Sequence, residues 1–167
     1  PAFYGWDLWS EPHIINWSEV YHLGNLNYVQ FCYCHSSQAR FRQWLEKKYQ
    51  TIEAVNEAWH RTFKSFSEVE PPRFGTILTY TDYLDWQEFI TDKLAEDLAL
   101  KAQAIKKILP ETVVTSHSAI PGLFSQPAWD GTPDDRKMNH SVDYYGVSIY
   151  PKHAGALRPW SPFFRAA

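Results

Sequence analysis

Apolar and polar positions along the chain follow two different periods, which predict short strands separated by helices. The first apolar and aromatic run extends from Ala2 to Trp9 and is followed closely by Pro12. Because proline donates no backbone N–H, we expect the first strand to end at this point. Two later runs, at 113–117 and 142–150, are rich in β-branched and aromatic residues and predict two further strands.

Between these runs, apolar residues recur at spacings of three and four, which predict helices. A helix is expected from about Gln38 to Tyr49, with Ser36 or Ser37 as its N-cap, and a shorter one from Ile52 to Trp59. The longest predicted helix begins at Asp82 as N-cap and ends before Pro110. Its apolar stripe comprises Trp86, Phe89, Ile90, Leu94, Leu98, Ala102, Ile105 and Leu109.

The order strand, helices, strand, short helix or loop, strand predicts an α/β fold with a parallel sheet and right-handed connections. The chain has 167 residues, the size of one domain, and a formal net charge of −3, which gives no indication of nucleic acid or an anionic membrane as partner. No apolar run is long enough for a transmembrane helix, and no secretory leader is visible. The small number of cysteines, 2, and the lack of a visible leader favour a cytoplasmic location. If the chain is a fragment that has lost its N-terminus, the location stays open.

Each predicted strand ends in side chains suited to a polar site: Glu11 and His13, then His117, then Tyr150. The carboxyl ends of parallel strands in an α/β barrel converge on one pocket, so we expect these residues to lie together. A glutamate among aromatic rings is partly desolvated, which raises its pKa and favours proton donation. The alternatives are a solvent-exposed loop glutamate, a hydrogen-bonded rim histidine and a tyrosine that serves packing.

Cys32 and Cys34 form a Cys-x-Cys pair, but neighbouring His22 and His35 do not complete a recognisable zinc site. Two free thiols are therefore expected, since adjacent-but-one cysteines form at best a strained disulfide. The 7 glycines include no G-x-G arrangement, so nucleotide binding is disfavoured. Ser-His-Asp catalysis lacks a nucleophile elbow. We expect neither a metal nor a cofactor.

With these residues in view, the chain resembles the middle of a clan A glycoside hydrolase and is most similar to the family 42 β-galactosidases. The similarity runs over nearly the whole chain, and its helical segments are its most specific part. The matching segments are the strand Phe3 to Trp9 with Ser10-Glu11, Cys32-Tyr33-Cys34, the helices around 39–45 and 51–59, Pro71-Pro72, Asp82-Tyr83, Leu109-Pro110 and Val147 to Pro151.

The resemblance implies strands four to six of a (β/α)8 TIM barrel, with residues 1–167 forming part of a single catalytic domain truncated at both ends. It implies retaining β-galactoside hydrolysis with Glu11 as acid/base and a nucleophile on a strand beyond Ala167, so the isolated chain is expected to be inactive. Ser37 replaces the third cysteine of the family's zinc cluster, so no metal is carried over. The expected substrate-binding residues are Ser10, Trp6, Trp9, His13, His117, Tyr150 and Trp160.

Ser10 is the main departure from the family pattern, because the family has an asparagine there that binds the sugar 2-hydroxyl. A serine reaches less far, so a changed specificity is expected. The expected partners are a galactoside or oligosaccharide, the remainder of the barrel and a second copy in a homo-oligomer. The alternatives are a carbohydrate-binding or pseudo-enzyme module on the same scaffold and an unrelated aromatic-rich α/β interaction domain.

Overall fold

Three parallel strands form one sheet in the order β1-β2-β3, with β2 in the centre. The computed structural model describes residues 3–14, 32–73, 80–118 and 133–148. Strand β1 is Gly5–Ser10, β2 is Val113–Ser118 and β3 is Tyr144–Val147. The predicted α/β class, the parallel pairing and all three strands are therefore confirmed, although β1 and β3 are shorter than the apolar runs that predicted them.

Four α-helices lie within the described ranges, and three of them, including the longest, lie between β1 and β2 in the chain. Helix α1 is His35–Tyr49, α2 is Ile52–Trp59, α3 is Thr81–Lys106 and α4 is Asp135–Asn139. A short 3₁₀ helix, Phe66–Glu68, lies between α2 and α3. None of the described helices is long and apolar enough to cross a membrane.

Two of the predicted N-caps are wrong. Helix α1 begins at His35, three residues earlier than expected, with Cys34 as N-cap, and Ser37 is buried inside its first turn. Helix α3 is preceded by Tyr80, while Asp82 lies within the helix, buried, with its carboxylate 3.4 Å from Arg61 Nη2. In both cases the predicted cap residue is buried within the first turn of the helix, which overrides the local capping preference.

The predicted cap of α2 is confirmed, because Thr51 accepts a hydrogen bond from Ala54 N at 3.3 Å. The predicted stripe of α3 is largely confirmed as well. Its members from Trp86 to Ala102 are buried, whereas Leu109 is 46% exposed beyond the end of the helix. An amphipathic pattern is thus a better guide to the buried face than to the ends of the helix.

The pairing of β1 with β2 contains a bulge. Asp7 lies opposite Thr115, but Ser10 lies opposite His117, so three steps along β1 match two along β2. One extra residue in a strand breaks the alternation of side chains between the two faces. Leu8 and Trp9 both pack against the hydrophobic core in consequence.

The core lies between the helices and one face of the sheet, and aromatic rings dominate it. Phe41 contacts Trp86 edge to face at 4.9 Å between ring centroids, and Phe89 lies 5.2 Å from both rings. Such pairs add to the burial of apolar area. The buried apolar set of this cluster is Phe41, Leu45, Val55, Trp59, Val69, Trp86, Phe89, Ile90, Leu94, Leu98 and Met138.

A buried carboxylate ties three helices together at the edge of this core. Asp85 on α3 is 3% exposed and accepts hydrogen bonds from Lys48 Nζ at 2.8 Å and Tyr49 OH at 2.7 Å, both at the end of α1. Trp59 Nε1 at the end of α2 donates a third, at 2.7 Å. Both oxygens of the carboxylate are thus paired, as a buried charge requires.

Candidate active site

The described site lies where β1 and β2 end side by side. Glu11 follows the last residue of β1, and its backbone N–H donates to His117 O at 2.9 Å. Its φ is 51°, in the left-handed region that non-glycine residues adopt rarely and that is over-represented at functional sites. Pro12, which follows, is buried. The sharp turn of the backbone therefore fixes where the Glu11 side chain leaves the sheet.

His117 lies between two side chains of β1. Its Nδ1 is 3.0 Å from Asp7 Oδ2, and its Nε2 is 3.3 Å from Ser10 Oγ. These three residues, Asp7, His117 and Ser10, are called the relay below. The sequence prediction brought Ser10 and His117 to the same edge correctly, but it missed Asp7.

Asp7 was missed because a regular strand would place Asp7, Trp9 and Glu11 on one face and Ser10 on the other. The bulge between Asp7 and Ser10 brings these two polar side chains to the same side of the sheet instead. An aspartate in an otherwise apolar strand was the only signal in the sequence.

His13 is half-buried two residues beyond Glu11. Burial lowers the pKa of His13 below its ordinary value, and the Glu11 carboxylate acts in the opposite direction. His13 and Glu11 are thus close enough for the Glu11 charge to act on the His13 ring.

The two tryptophans of β1 have different surroundings. Trp9 packs against the hydrophobic core, and Lys101 Nζ of α3 lies 3.5 Å from the centroid of its ring. Trp6 is 46% exposed and meets Phe3 edge to face. The structure therefore brings Ser10, His117 and Glu11 together and directs Trp9 away from them. Tyr150 and Trp160, and the extended piece expected at 28–31, lie outside the described residues.

A separate cleft of ≈ 430 Å³ lies between α1 and α3 on the helical side. Most of its charged side chains take part in ion pairs: Arg40 with Glu96 and Asp97, Lys48 with Glu88, and Asp92 with Lys137. Internal pairing of this kind leaves the cleft a structural contact between two helices rather than a second candidate site.

Comparison with known proteins decides the family. Residues 9–161 match the family model Glyco_hydro_42, which is described as beta-galactosidase. The chain belongs to glycoside hydrolase family 42. The resemblance inferred from the sequence motifs is thereby confirmed.

Individual members of family 42 agree with this assignment. A beta-galactosidase of Thermus thermophilus is 37% identical over 137 residues, which are 78% of this chain and 20% of that protein. Beta-galactosidase BglY of Alicyclobacillus acidocaldarius is 32% identical over 120 residues, 67% of this chain and 17% of that protein. The chain thus spans about a fifth of the length of these relatives.

Solved structures of the family show the same arrangement of elements. The beta-galactosidase from Bacillus circulans sp. alkalophilus superposes with a TM-score of 0.60 at 26% identity, covering 75% of this chain and 19% of that one. The beta-galactosidase from the Antarctic haloarchaeon Halorubrum lacusprofundi covers 90% of this chain and 20% of that one with a TM-score of 0.61 at 23% identity. These family 42 enzymes are TIM-barrel proteins, and the three parallel strands correspond to a part of such a fold.

The Cys-x-Cys segment does not fit the zinc cluster that the family resemblance implies. Cys34 Sγ lies 3.4 Å from the hydroxyl of buried Ser37, the residue at which the family resemblance implies a third cysteine. In the described ranges, no three His, Cys, Asp or Glu side chains are grouped so that they could hold a metal ion. Hydrogen bonds from Ser37, together with one from Cys32, lower the pKa of exposed Cys34 to about 7. A serine offers no thiolate ligand, so Cys32, Cys34 and Ser37 do not supply the three thiolates that the resemblance implies.

Proposed function

We propose that this chain contributes strands four to six of the catalytic (β/α)8 barrel of a retaining β-galactosidase, with Glu11 as the acid/base. The observation that carries the proposal is the position of Glu11, directly beyond a parallel strand and bonded through its backbone to the end of the next strand. Active sites of such barrels are built from these carboxyl ends. Family 42 membership and the Ser10-Glu11 motif support the same role.

In this role Glu11 first protonates the glycosidic oxygen as the leaving group departs, and later removes a proton from the attacking water. A retaining mechanism needs a second carboxylate about 5–5.5 Å away as nucleophile. The family resemblance assigns that carboxylate to a later strand, beyond residue 167. We therefore propose that this segment alone does not turn over glycosides and that the complete barrel does.

The exposed surface of the sheet supports the need for the rest of the barrel. Several large apolar side chains on the strands or next to them are exposed in this chain, and the three described parallel strands leave two open edges. We propose that the remaining βα units of the barrel cover these side chains and edges. A homo-oligomer stays a prediction. The exposed side chains are Phe3 (63%), Tyr4 (74%), Trp6 (46%) and Tyr144 (61%).

For substrate binding we propose Ser10 and His13 as polar contacts with the galactoside, and His117 as a residue that acts through Ser10, because its two ring nitrogens face Asp7 and Ser10. Trp6 and Trp9 remain stacking proposals from the sequence: Trp9 is packed against α3, and Trp6, although exposed, pairs with Val114 and so lies on the opposite face of β1 from Asp7. Tyr150 and Trp160 remain proposals from the family resemblance alone.

The test is Glu11→Gln in the full-length protein, assayed with two β-galactosides. Lactose, whose leaving group needs protonation, is expected to lose about 10²–10⁴-fold in rate, the usual contribution of general acid catalysis. 2,4-Dinitrophenyl β-galactoside needs no such proton, so its glycosylation step is expected to be retained, and azide should restore turnover by replacing water. Glu57→Gln, on the exposed side of α2, is the matched control. Unchanged hydrolysis of lactose by the Glu11 variant would remove Glu11 from this role.

A second candidate function is a carbohydrate-binding or pseudo-enzyme module, and the serine at position 10 is the observation that favours it. It predicts that the full-length protein binds galactose in a calorimetric titration but releases no aglycone from 2,4-dinitrophenyl β-galactoside. Turnover of that substrate by the wild-type protein would reject it.

A further inference from the structure

The relay is the feature of this site that the acid/base role of Glu11 does not use. Asp7, His117 and Ser10 form a continuous hydrogen-bonded series, at 3.0 Å and 3.3 Å, beside the proposed acid/base. The Asp7 side chain is 44% exposed and the His117 side chain is 27% exposed, so the series is open to solvent at the sheet edge where Glu11 follows β1. Its outer member, Ser10, is exposed.

We propose that Asp7 and His117 orient the Ser10 hydroxyl so that it accepts a hydrogen bond from a hydroxyl group of an uncharged sugar. The inference rests on the proposed glycosidase function and deepens it, because it names the group that selects the substrate. Ser10 is the binding residue, and Asp7 and His117 are positioning residues that act through it.

We assign the directions of the hydrogen bonds from the acceptor character of Asp7, with the imidazole of His117 taken as neutral. The Asp7 carboxylate is a pure acceptor, so Nδ1 of His117 carries a proton and donates it. In the neutral ring Nε2 is then an acceptor, and the Ser10 hydroxyl donates to it. The lone pairs of Ser10 Oγ are left for an incoming donor.

This polarity separates Ser10 from an asparagine at the same place. An asparagine amide offers both a donor and an acceptor, whereas the serine proton is committed to His117. The sugar hydroxyl must therefore donate to Ser10. A group that only accepts, such as fluorine or a methoxy oxygen, gains nothing there.

The charge around the relay favours an uncharged sugar. Residues 3–14, 113–118 and 144–148, which form the described strands and their ends, contain no lysine or arginine. The acidic groups in those segments are Asp7 and Glu11, and His13 has its pKa lowered by burial. No lysine or arginine on these strands compensates a sulfate or carboxylate on the sugar, and the Asp7 carboxylate opposes one.

The experiment uses the full-length protein and p-nitrophenyl β-galactoside with its 2-, 3-, 4- and 6-deoxy and deoxyfluoro analogues. For each substrate, kcat/KM of the wild type is divided by kcat/KM of Ser10→Ala, so electronic effects of the analogue cancel. The ratio is expected to be about tenfold for the parent substrate, the value of one net hydrogen bond. It should fall to about one for both the deoxy and the deoxyfluoro analogue at one ring position. A ratio that the fluoro analogue preserves would show that Ser10 donates, and would overturn the proposal.

Asp7→Ala tests the positioning role with a readout that a purely structural role would not move. Its loss should be confined to the same hydroxyl as that of Ser10→Ala, and the two variants combined should lose no more than Ser10→Ala alone. Ser10→Thr, which keeps the hydroxyl, should restore most of the activity. The matched control is Thr115→Val, which removes a hydroxyl from β2 two residues before His117. An equal loss on all analogues would reject the positioning role.

Two further measurements distinguish this inference from its competitors. Hydrolysis of p-nitrophenyl acetate that disappears in Ser10→Ala would make Ser10 a nucleophile and overturn the proposal, as would equal turnover of neutral and 6-sulfated galactosides. If the wild type binds galactosides without hydrolysing them, the proposed function fails. The role of Ser10 is then tested by comparing the dissociation constants of the wild type and Ser10→Ala for each analogue. Absence of any galactoside binding would overturn both.

Discussion

Replacement of Asp85 by alanine is expected to weaken the contact between α1, α2 and α3 more than any change on their surface. The carboxylate is 3% exposed and accepts from Lys48 Nζ, Tyr49 OH and Trp59 Nε1 at 2.7–2.8 Å. Alanine leaves all three donors without their acceptor. The Trp59 side chain is 1% exposed, so solvent does not readily replace the acceptor there.

The magnitude follows from the burial of the pair. Removing one partner of a buried ion pair costs about 3–5 kcal/mol, since the other partner is left unpaired in a poorly solvated place. The Lys48 side chain is 36% exposed and has a second carboxylate, Glu88 Oε2 at 2.6 Å, which brings the expected value to the lower end, about 3 kcal/mol. The Asp85 and Glu88 carboxylates together raise the pKa of Lys48 above its ordinary value, although burial acts the other way.

The assay is amide hydrogen exchange of peptides from α1 and α3 in the full-length protein, which reports the local free energy of opening. A loss of about 3 kcal/mol corresponds to roughly 100-fold faster exchange. Glu88→Gln is the matched control, because Glu88 binds the same lysine from the surface with its side chain 49% exposed. Its effect should stay below about 1 kcal/mol. Equal protection in Asp85→Ala and Glu88→Gln would refute the reasoning from burial.

Two further predictions concern the start of α1 and the start of β1. The Cys34 thiol, whose pKa is lowered to about 7, should be alkylated by iodoacetamide with a rate that rises with pH around that value, and Ser37→Ala should shift the midpoint upwards because the main hydrogen bond is lost. A midpoint unmoved by the serine change would contradict this. Gly5→Ala should lower the thermal midpoint, since a Cβ would lie 2.4 Å from Val113 O; Gly146→Ala, with its nearest contact at 3.7 Å, should change it little.

The helices were the most predictable part of the fold. The stripe of α3 from Trp86 to Ala102 and the cap at Thr51 could be read directly, because both depend on neighbours three or four residues apart in the sequence. The N-caps at Cys34 and Tyr80 could not be predicted. There, contacts of Ser37 and Asp82 with distant residues or the interior outweigh a local preference of about 1 kcal/mol.

By itself the sequence determined the parallel α/β class, the family and the place of Glu11 at the end of a strand, since these follow from local periodicity and short motifs. Tertiary structure alone decided which side chains lie next to the end of β1. A one-residue bulge turns Asp7 and Ser10 to the same side and brings both within reach of His117, more than 100 residues away. A period of two predicts the opposite arrangement, because the pairing register of β1 with β2 is set by packing across the sheet and not by the order of residues in either strand.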